Sequence, residues 1–479
     1  MTSAPLLVRA AQARIKAASS RHAFGIGAPI ALGLVVALVF FLPARAGVSG
    51  LGAAGRPHFL VAVGLLAWWI LLQLHPRFRT GKLPGLSVLV LVYVGWVTVA
   101  WAAGYGRGLT VAESNGSDRS LIATFAYLGI VLVTSTGLRT ARQIDSVLKI
   151  IVVGATFSAV VGWIQFWVGF DVAPWLMLPG LQDIQPIIAI SERGSANFAR
   201  VAGTAGHFIE FGVVTAMLTP LAIHYARARP KRQRRLAWTS VVLIAGAVPF
   251  SLSRSAIVAL ALAAIVMLLG WPNRDRWNAI GAMILAVPVY MVIKPGLLGT
   301  LKSLFVNAAN DPSVTGRTED YATAWAFIVE RPVIGRGPGT FNPEQYILLD
   351  NQWLLSLIET GWVGVALLAL VLVATIRTLM TVRRRSLYVG DTTQADLALS
   401  LLAIIVTLAV TATLFDEFFF TTATTLLWLT VGVTSALFEH QRRQLAELGI
   451  TPLRASGRIR GLADIARGRP VDLSKSAWI

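Results

Sequence analysis

Ionisable side chains inside apolar segments cost free energy in hydrocarbon, so their placement is the first guide to chemistry. In this sequence nearly all of them fall at one set of segment ends: Arg200, His207, Glu210, Arg254, Asp350, Asn351, Glu359, Asp416 and Glu417. Three arginines stand near the start of an expected helix: Arg200 in RVAGTAGH, Arg254 in SLSRSAIVAL and Arg317 in TGRTEDY. A helix N-terminus carries partial positive charge, so a cation there is slightly unfavourable until an anion joins it. Arginine beside free backbone N–H groups makes a phosphate or pyrophosphate site. Snorkelling to the interface is the plainer account of any one arginine; three together favour the anion. Arg331 and Arg336 are secondary candidates for the same task.

The carboxylates supply the complementary chemistry. Asp350 and Asn351 open one apolar segment, and Glu359 shares a face with Asn351 at i+8. A carboxylate here suits a general base that takes the proton of an attacking hydroxyl. Helix capping is the alternative for Asp350 or Asn351, and Glu359 needs a partner or a raised pKa. Glu210 is a second candidate base. His207, three residues before it on the same face, is a secondary candidate whose plainer role is an interfacial hydrogen bond. Asp416 and Glu417 are expected to be solvated turn acids, and Gly361 and Gly364 ordinary close-packing sites. Cysteine is absent and the six histidines form no HxxxH or HExxH pair, so no metal site and no cofactor is expected.

The elements that must position these groups are membrane helices. Of 479 residues 55% are hydrophobic and 14% charged, with mean hydropathy +0.67; soluble domains carry roughly 25% charged residues. The fold class is therefore an all-α integral membrane protein. Apolar runs long enough to span a bilayer number about twelve, near 24–42, 59–74, 84–103, 120–137, 147–170, 207–225, 236–250, 255–270, 278–293, 352–376, 395–415 and 418–438. The seventh and eighth read as a tight hairpin joined at Ser251–Arg254. A tail of 1–23 precedes nine spans over 24–293, which include a loop at 171–206 rich in Pro, Trp and Ile. A large loop at 294–351 precedes the tenth span, three spans fill 352–438, and a basic tail covers 439–479. Within the large loop, Thr318 reads as an N-cap and the helix ends at Arg331-Pro332.

Charge sets the expected orientation. The two tails and the loops near 75–83, 138–149, 226–235, 271–277 and 377–394 carry 30 of the 42 basic residues. By the positive-inside rule both termini are cytoplasmic and the polar cluster faces outward. The net charge of +19 alternates loop by loop, which marks topology and attraction to the lipid bilayer rather than nucleic acid. The short inner loops leave no room for a catalytic domain, so chemistry is expected on the outer face.

The run Asp350-Asn351, nine residues, Gly361, two residues, Gly364 resembles the signature of O-antigen ligases and the related O-antigen polymerases. RVAGTAGH at 200–207, SRSAIVAL at 253–260 and the stretch from Arg317 through RPVIGRGPGTF at 331–341 match the family in order and spacing. The resemblance implies a GT-C-like membrane glycosyltransferase, inverting and metal-independent, in the bacterial cytoplasmic (inner) membrane. Its donor would be an undecaprenyl-pyrophosphate-linked glycan and its acceptor a glycan or glycolipid hydroxyl. It assigns pyrophosphate binding to Arg200, Arg254 and Arg317. Asp350 replaces the histidine usual in the ligases, which favours a polymerase or another branch and keeps a base in place. The competing class is a transporter or flippase of a lipid-linked or anionic solute, which would show charges along a path to both faces and commonly an internal repeat.

Overall fold

The computed structural model describes residues 24–76, 78–184, 190–193, 198–306, 312–343 and 345–447. Twelve helices fall on the twelve expected intervals: α1 Phe24–Phe41, α2 Pro57–Leu74, α3 Gly85–Tyr105, α4 Val111–Gly137, α5 Ala141–Val168, α6 Phe208–Ala228, α7 Lys231–Ala247, α8 Arg254–Gly270, α9 Asn273–Ile293, α12 Gln352–Tyr388, α13 Thr392–Thr411 and α14 Thr421–Glu447. The large loop adds α10 Leu297–Val306 and α11 Pro312–Glu330. Among the described residues eight helices are long and apolar enough to cross a membrane. Of the other four expected spans, α8 and the apolar stretch of α1 are shorter, α7 opens with the basic run Lys231–Arg235, and α9 meets α10 at a bend of 112°. Two short antiparallel pairs lie among the helices at one end: β1 (Ala46–Gly47) with β2 (Gln182–Asp183), and β3 (Ile190–Arg193) with β4 (Phe198–Val201).

The centre is built from α6 and α14, whose membrane-spanning windows are 89% and 94% buried. In lipid no hydrophobic force drives helices together, so close packing of small residues and interhelical hydrogen bonds must do it. The sequence of α14 suits that position. Thr430 and Thr434 return their hydroxyls to carbonyls one turn back, at 2.6 and 2.8 Å, and so stay buried without an orphan donor. Tyr93 stacks on Trp428 at 5.6 Å and ties α3 to this helix.

Two expectations about local structure change. The helices joined at Ser251–Arg254 do not pair as a tight hairpin. A 3₁₀ turn over Val248–Ser251 and a left-handed Leu252 (φ 44°) part them, and both α7 and α8 pack against α6 instead. In the large loop, α11 begins at Pro312 rather than after Thr318, because proline is well tolerated in a first helical turn. Its end at Glu330 is where Pro332 requires it.

The element that positions the polar cluster is α12, which is broken at Gly361 (φ 66°, ψ −176°). A break inside a membrane helix frees backbone groups that must find other partners. The segment 331–341 supplies them. Arg336 N–H donates to the Ile358 carbonyl at 2.9 Å, Gly337 N–H to the Glu359 carbonyl at 3.0 Å, and Trp362 N–H to the Pro332 carbonyl at 2.8 Å. The Trp96 indole donates to the Thr360 carbonyl at 2.9 Å. Gly361 is thus a backbone requirement rather than ordinary packing, since a Cβ there would collide with the Val333 carbonyl. The same close approach explains Gly335, whose Cβ would strike the backbone of Glu359.

Replacing Gly361 by alanine is expected to cost at least about 2 kcal/mol, from the forbidden backbone region plus displacement of 331–341. Gly95, mid-helix with nothing within 4 Å of its would-be Cβ, is the matched control. Thermal unfolding in detergent should show a clear drop for G361A and none for G95A.

Candidate functional site

The end of the bundle that holds the Gly361 break contains a cavity of about 330 Å³ between α3, α4, the segment 338–349, the start of α12 and the turn before α14. Its polar lining includes Glu359, Asp416, Arg56, Arg119 and Gln352, and its floor is aromatic, with Tyr93, Tyr127 and Trp428. Helix breakage accounts for the first of these. The 331–341 segment that satisfies the broken helix also delivers the amides of Gly339 and Phe341 to the Glu359 carboxylate. That gives an otherwise costly intramembrane carboxylate its hydrogen-bond partners.

A second network clamps this segment from the α3–α4 side. Glu113 caps α4 through Thr110 N–H at 3.0 Å, pairs with Arg107 at 2.5 Å, and accepts the Tyr346 hydroxyl at 2.7 Å. Arg336 joins the same network rather than the cavity. It pairs with Glu330 at 2.5 Å, donates to the Tyr346 hydroxyl at 3.2 Å and lies 4.9 Å from the Phe327 ring centre. Arg331, half-buried, lies at the start of this segment, where its carbonyl accepts from Gly335 N–H at 3.0 Å. Arg317 sits within α11, and its side chain lies outside the described residues.

Gln352 fastens α12 to the turn between α13 and α14. Its N–H donates to the Ala412 carbonyl at 2.8 Å and its side-chain oxygen accepts from Phe418 N–H at 2.7 Å. This clamp brings Asp416 against Asp350. Burial, together with the Asp350 charge, pushes the Asp416 carboxyl up to about 7. Glu417 beside it is fully enclosed, and burial holds it well above the ordinary carboxylate range. Both acids therefore depart from the solvated turn that the sequence suggests. The Gln352 clamp holds this turn inward together with Phe415 and Phe420, which are buried in the core. Asn351 is the N-cap of α12, accepting from Trp353 and Leu354 N–H at 3.1 and 3.2 Å.

On the other side of the same turn stand the remaining candidates. Arg200 on β4 lays its guanidinium 3.3 Å from the centre of the Phe208 ring and donates to the Ser251 carbonyl at 3.3 Å. Arg254 starts α8 three residues after Ser251, so the two arginines gather at one turn. His207 is the N-cap of α6, its Nδ1 accepting from Ile209 N–H at 3.2 Å, and its ring lies 5.6 Å from Phe420. Burial and the Arg200 charge push its imidazole down to about 4, so it is neutral at pH 7. Glu210 is committed to the backbone. One oxygen accepts from Gly206 N–H at 2.9 Å and the other from Thr422 N–H at 2.7 Å, which joins the starts of α6 and α14. With both oxygens engaged and the side chain 1% exposed, Glu210 holds the site together rather than facing it.

The structure thus gathers Arg200 and Arg254 at the Ser251 turn with His207 nearby, its ring 5.6 Å from Phe420, while Asp416 of the 412–420 turn faces Asp350 and lines the cavity with Glu359. Sequence reading missed Arg56 and Arg119, which line the cavity, and Glu113. Arg56 directly precedes α2 much as Arg254 opens α8, and that signal was there to be used; Glu113 showed only as the fourth residue of a capping box. Among the described residues no group of three or more His, Asp and Glu side chains converges as a metal site requires.

Residues 239–369 match the family model described as O-Antigen ligase. The interval runs from α7 into α12 and contains Arg254, Arg317, the 331–341 segment, Asp350 and Glu359, while Arg200, His207 and Glu210 precede it. The match supports the resemblance to O-antigen ligases that the motifs carry. No curated protein matches the chain.

Acids whose folded pKa is raised lower stability as pH rises through the interval between their unfolded and folded values. For Asp416 that interval runs from about 4 to about 7. The melting temperature should therefore fall between pH 5 and pH 8, and Asp416→Asn should reduce that fall. Glu417→Gln, which keeps the shape of the neutral acid, should leave the melting temperature at pH 5 unchanged and raise it at pH 8. An identical pH profile for both variants and the native chain would refute the burial of these two acids.

Proposed function

We propose that this protein is a membrane glycosyltransferase of the O-antigen ligase and polymerase type. It moves a glycan from an undecaprenyl-pyrophosphate carrier to an acceptor hydroxyl at the outer face of the bacterial cytoplasmic membrane. The observation that carries this reading is that an arginine pair at the Ser251 turn and a carboxylate pair at the 412–420 turn are related through His207, whose ring lies 5.6 Å from Phe420. Arg200 donates to the Ser251 carbonyl and Arg254 opens the helix three residues on, and Asp416 faces Asp350. The basic loops all lie at the opposite end, which supports both tails being cytoplasmic.

In the proposed reaction the acceptor oxygen attacks the anomeric carbon and the bond from that carbon to the phosphate oxygen breaks. Polyprenyl pyrophosphate leaves with the electron pair, and the acceptor proton passes to a carboxylate. Arg200 and Arg254 neutralise the charge that grows on the leaving group, with Arg317 as the third cation from the loop. Stabilisation of that charge by fixed donors is the largest contribution. It needs no metal, because arginines hold the pyrophosphate in two-pronged hydrogen bonds.

Asp350 is the base in this scheme. Asp416, raised to about 7, carries the neighbouring proton and keeps two adjacent negative charges from forming near an anionic donor. Glu359, Arg56 and Arg119 line the adjoining cavity, which is the place for the sugar to be elongated or capped. Asn351 and Glu210 hold the backbone that presents these groups.

With a synthetic undecaprenyl-pyrophosphate oligosaccharide, envelope acceptors and EDTA present, purified protein should release undecaprenyl pyrophosphate. Arg200→Ala and Arg254→Ala should each lower the rate by about 10²–10³-fold, and Asp350→Asn by about 10²–10⁴-fold, with melting temperatures near that of the native chain. Native rates in both arginine variants would overturn the site. Donor movement across liposomes without glycan transfer would replace the enzyme by a flippase.

A further inference from the structure

A cavity of about 1330 Å³ at the opposite, basic end of the bundle lies where the α6–α7, α8–α9 and α12–α13 connections meet. Four arginines line it, Arg227, Arg276, Arg383 and Arg384, against two acids, Asp275 and Asp396. The acids are already spent. Arg227 pairs with Asp275 at 2.5 Å and with Asp396 at 3.2 Å. Asp396 also accepts the Trp271 indole N–H at 3.0 Å and lies 2.9 Å from His224 Nδ1.

The other three arginines make no salt bridge among the described residues. Two of them are held by carbonyl oxygens. Arg383 donates to Ala395 at 2.9 Å and to Gly270, and Arg276 donates to Leu268 at 2.8 Å and to Trp271 at 3.3 Å. A carbonyl fixes the direction of a guanidinium without cancelling its charge, and each arginine keeps further N–H donors. Arg384 is exposed at the rim. The cavity is therefore a cationic pocket whose own acids are already paired.

Its rim also carries exposed aliphatic side chains, Leu269 at 68% and Leu387 at 49%. Cations beside outward-facing leucines at the end of membrane helices match a lipid at its headgroup boundary, where phosphate and acyl chain meet. We propose that this pocket binds the phosphate headgroup of an anionic phospholipid from the leaflet on the basic side. A soluble phosphate would use the same arginines but would gain nothing from the leucines, and the test separates the two sources.

Full-length protein in detergent is titrated with short-chain phosphatidylglycerol, phosphatidylethanolamine or inorganic phosphate and followed by native mass spectrometry. Phosphatidylglycerol should bind in preference to both others. Each arginine near a membrane surface contributes about fivefold in affinity, so the double variant Arg276→Gln/Arg384→Gln should bind it roughly twentyfold more weakly. The double variant Arg232→Gln/Arg234→Gln removes two charges of the same face outside the pocket and should leave binding within about twofold. Equal loss in both variants would reduce the effect to general surface charge and overturn the proposal. Equal binding of phosphatidylethanolamine would overturn it, as would inorganic phosphate binding as tightly as phosphatidylglycerol. A melting temperature for Arg276→Gln/Arg384→Gln that matches the native chain in lipid-free detergent separates lost binding from lost fold; if Arg276→Gln unfolds the protein, Arg384→Gln alone should show the fivefold loss.

Discussion

Everything at the candidate site depends on one unpaired stretch of backbone. A helix inside a membrane must keep its N–H and C=O groups satisfied, yet α12 opens at Gly361. The groups it frees are taken up by Arg336, Gly337 and Pro332 of the preceding loop and by the Trp96 indole of α3. That exchange fixes the loop on the bundle, sets its amides on the Glu359 carboxylate and closes one wall of the cavity. Without the break, segment 331–341 would have no register on the helix, and Glu359 would be an unsatisfied charge in hydrocarbon.

A second constraint works through side chains that cap helices. Glu210 joins the starts of α6 and α14, Glu113 joins α4 to the loop through Tyr346, and Gln352 joins α12 to the turn after α13. Each is a buried polar group whose lone pairs or donors are used across two elements, so each orders a pair of helix ends that apolar packing alone would leave free to slide. Together they gather five helix ends at one face. The functional reading rests on that gathering, because arginines and carboxylates from segments far apart in sequence act on one substrate only if their helix ends are held in register.

The two ends of the bundle treat charge differently. At the candidate site, half-buried carboxylates face one another, as with Asp416 against Asp350, while Arg200 stands on an aromatic ring and a carbonyl. At the basic end, the acids are consumed by Arg227 and the remaining guanidiniums are aimed by carbonyl oxygens. At the basic end this arrangement suits a phosphate-bearing lipid, and at the candidate site the proposed partner is a phosphate-bearing reactant.

How much of this was legible in the sequence follows from the range of the forces involved. Apolar run length and loop charge are local properties, so the helix positions, the all-α membrane class and the polar end could be read directly. The motifs around Arg200, Arg254 and Asp350 also lie within short stretches and carried the family resemblance that the match over 239–369 supports. Tertiary structure decided the rest. Whether Asp416 is wet or buried depends on Gln352, 64 positions away, and whether Glu210 is a base or a clamp depends on Thr422. Gly361 reads as a packing glycine until its φ and the Val333 carbonyl are seen together. Arg56 and Arg119 enter the cavity only because α2 and α4 pack side by side. Hydropathy fixes which segments enter the membrane. Partner choice among buried polar groups is a contest between distant residues, and only the folded chain resolves it.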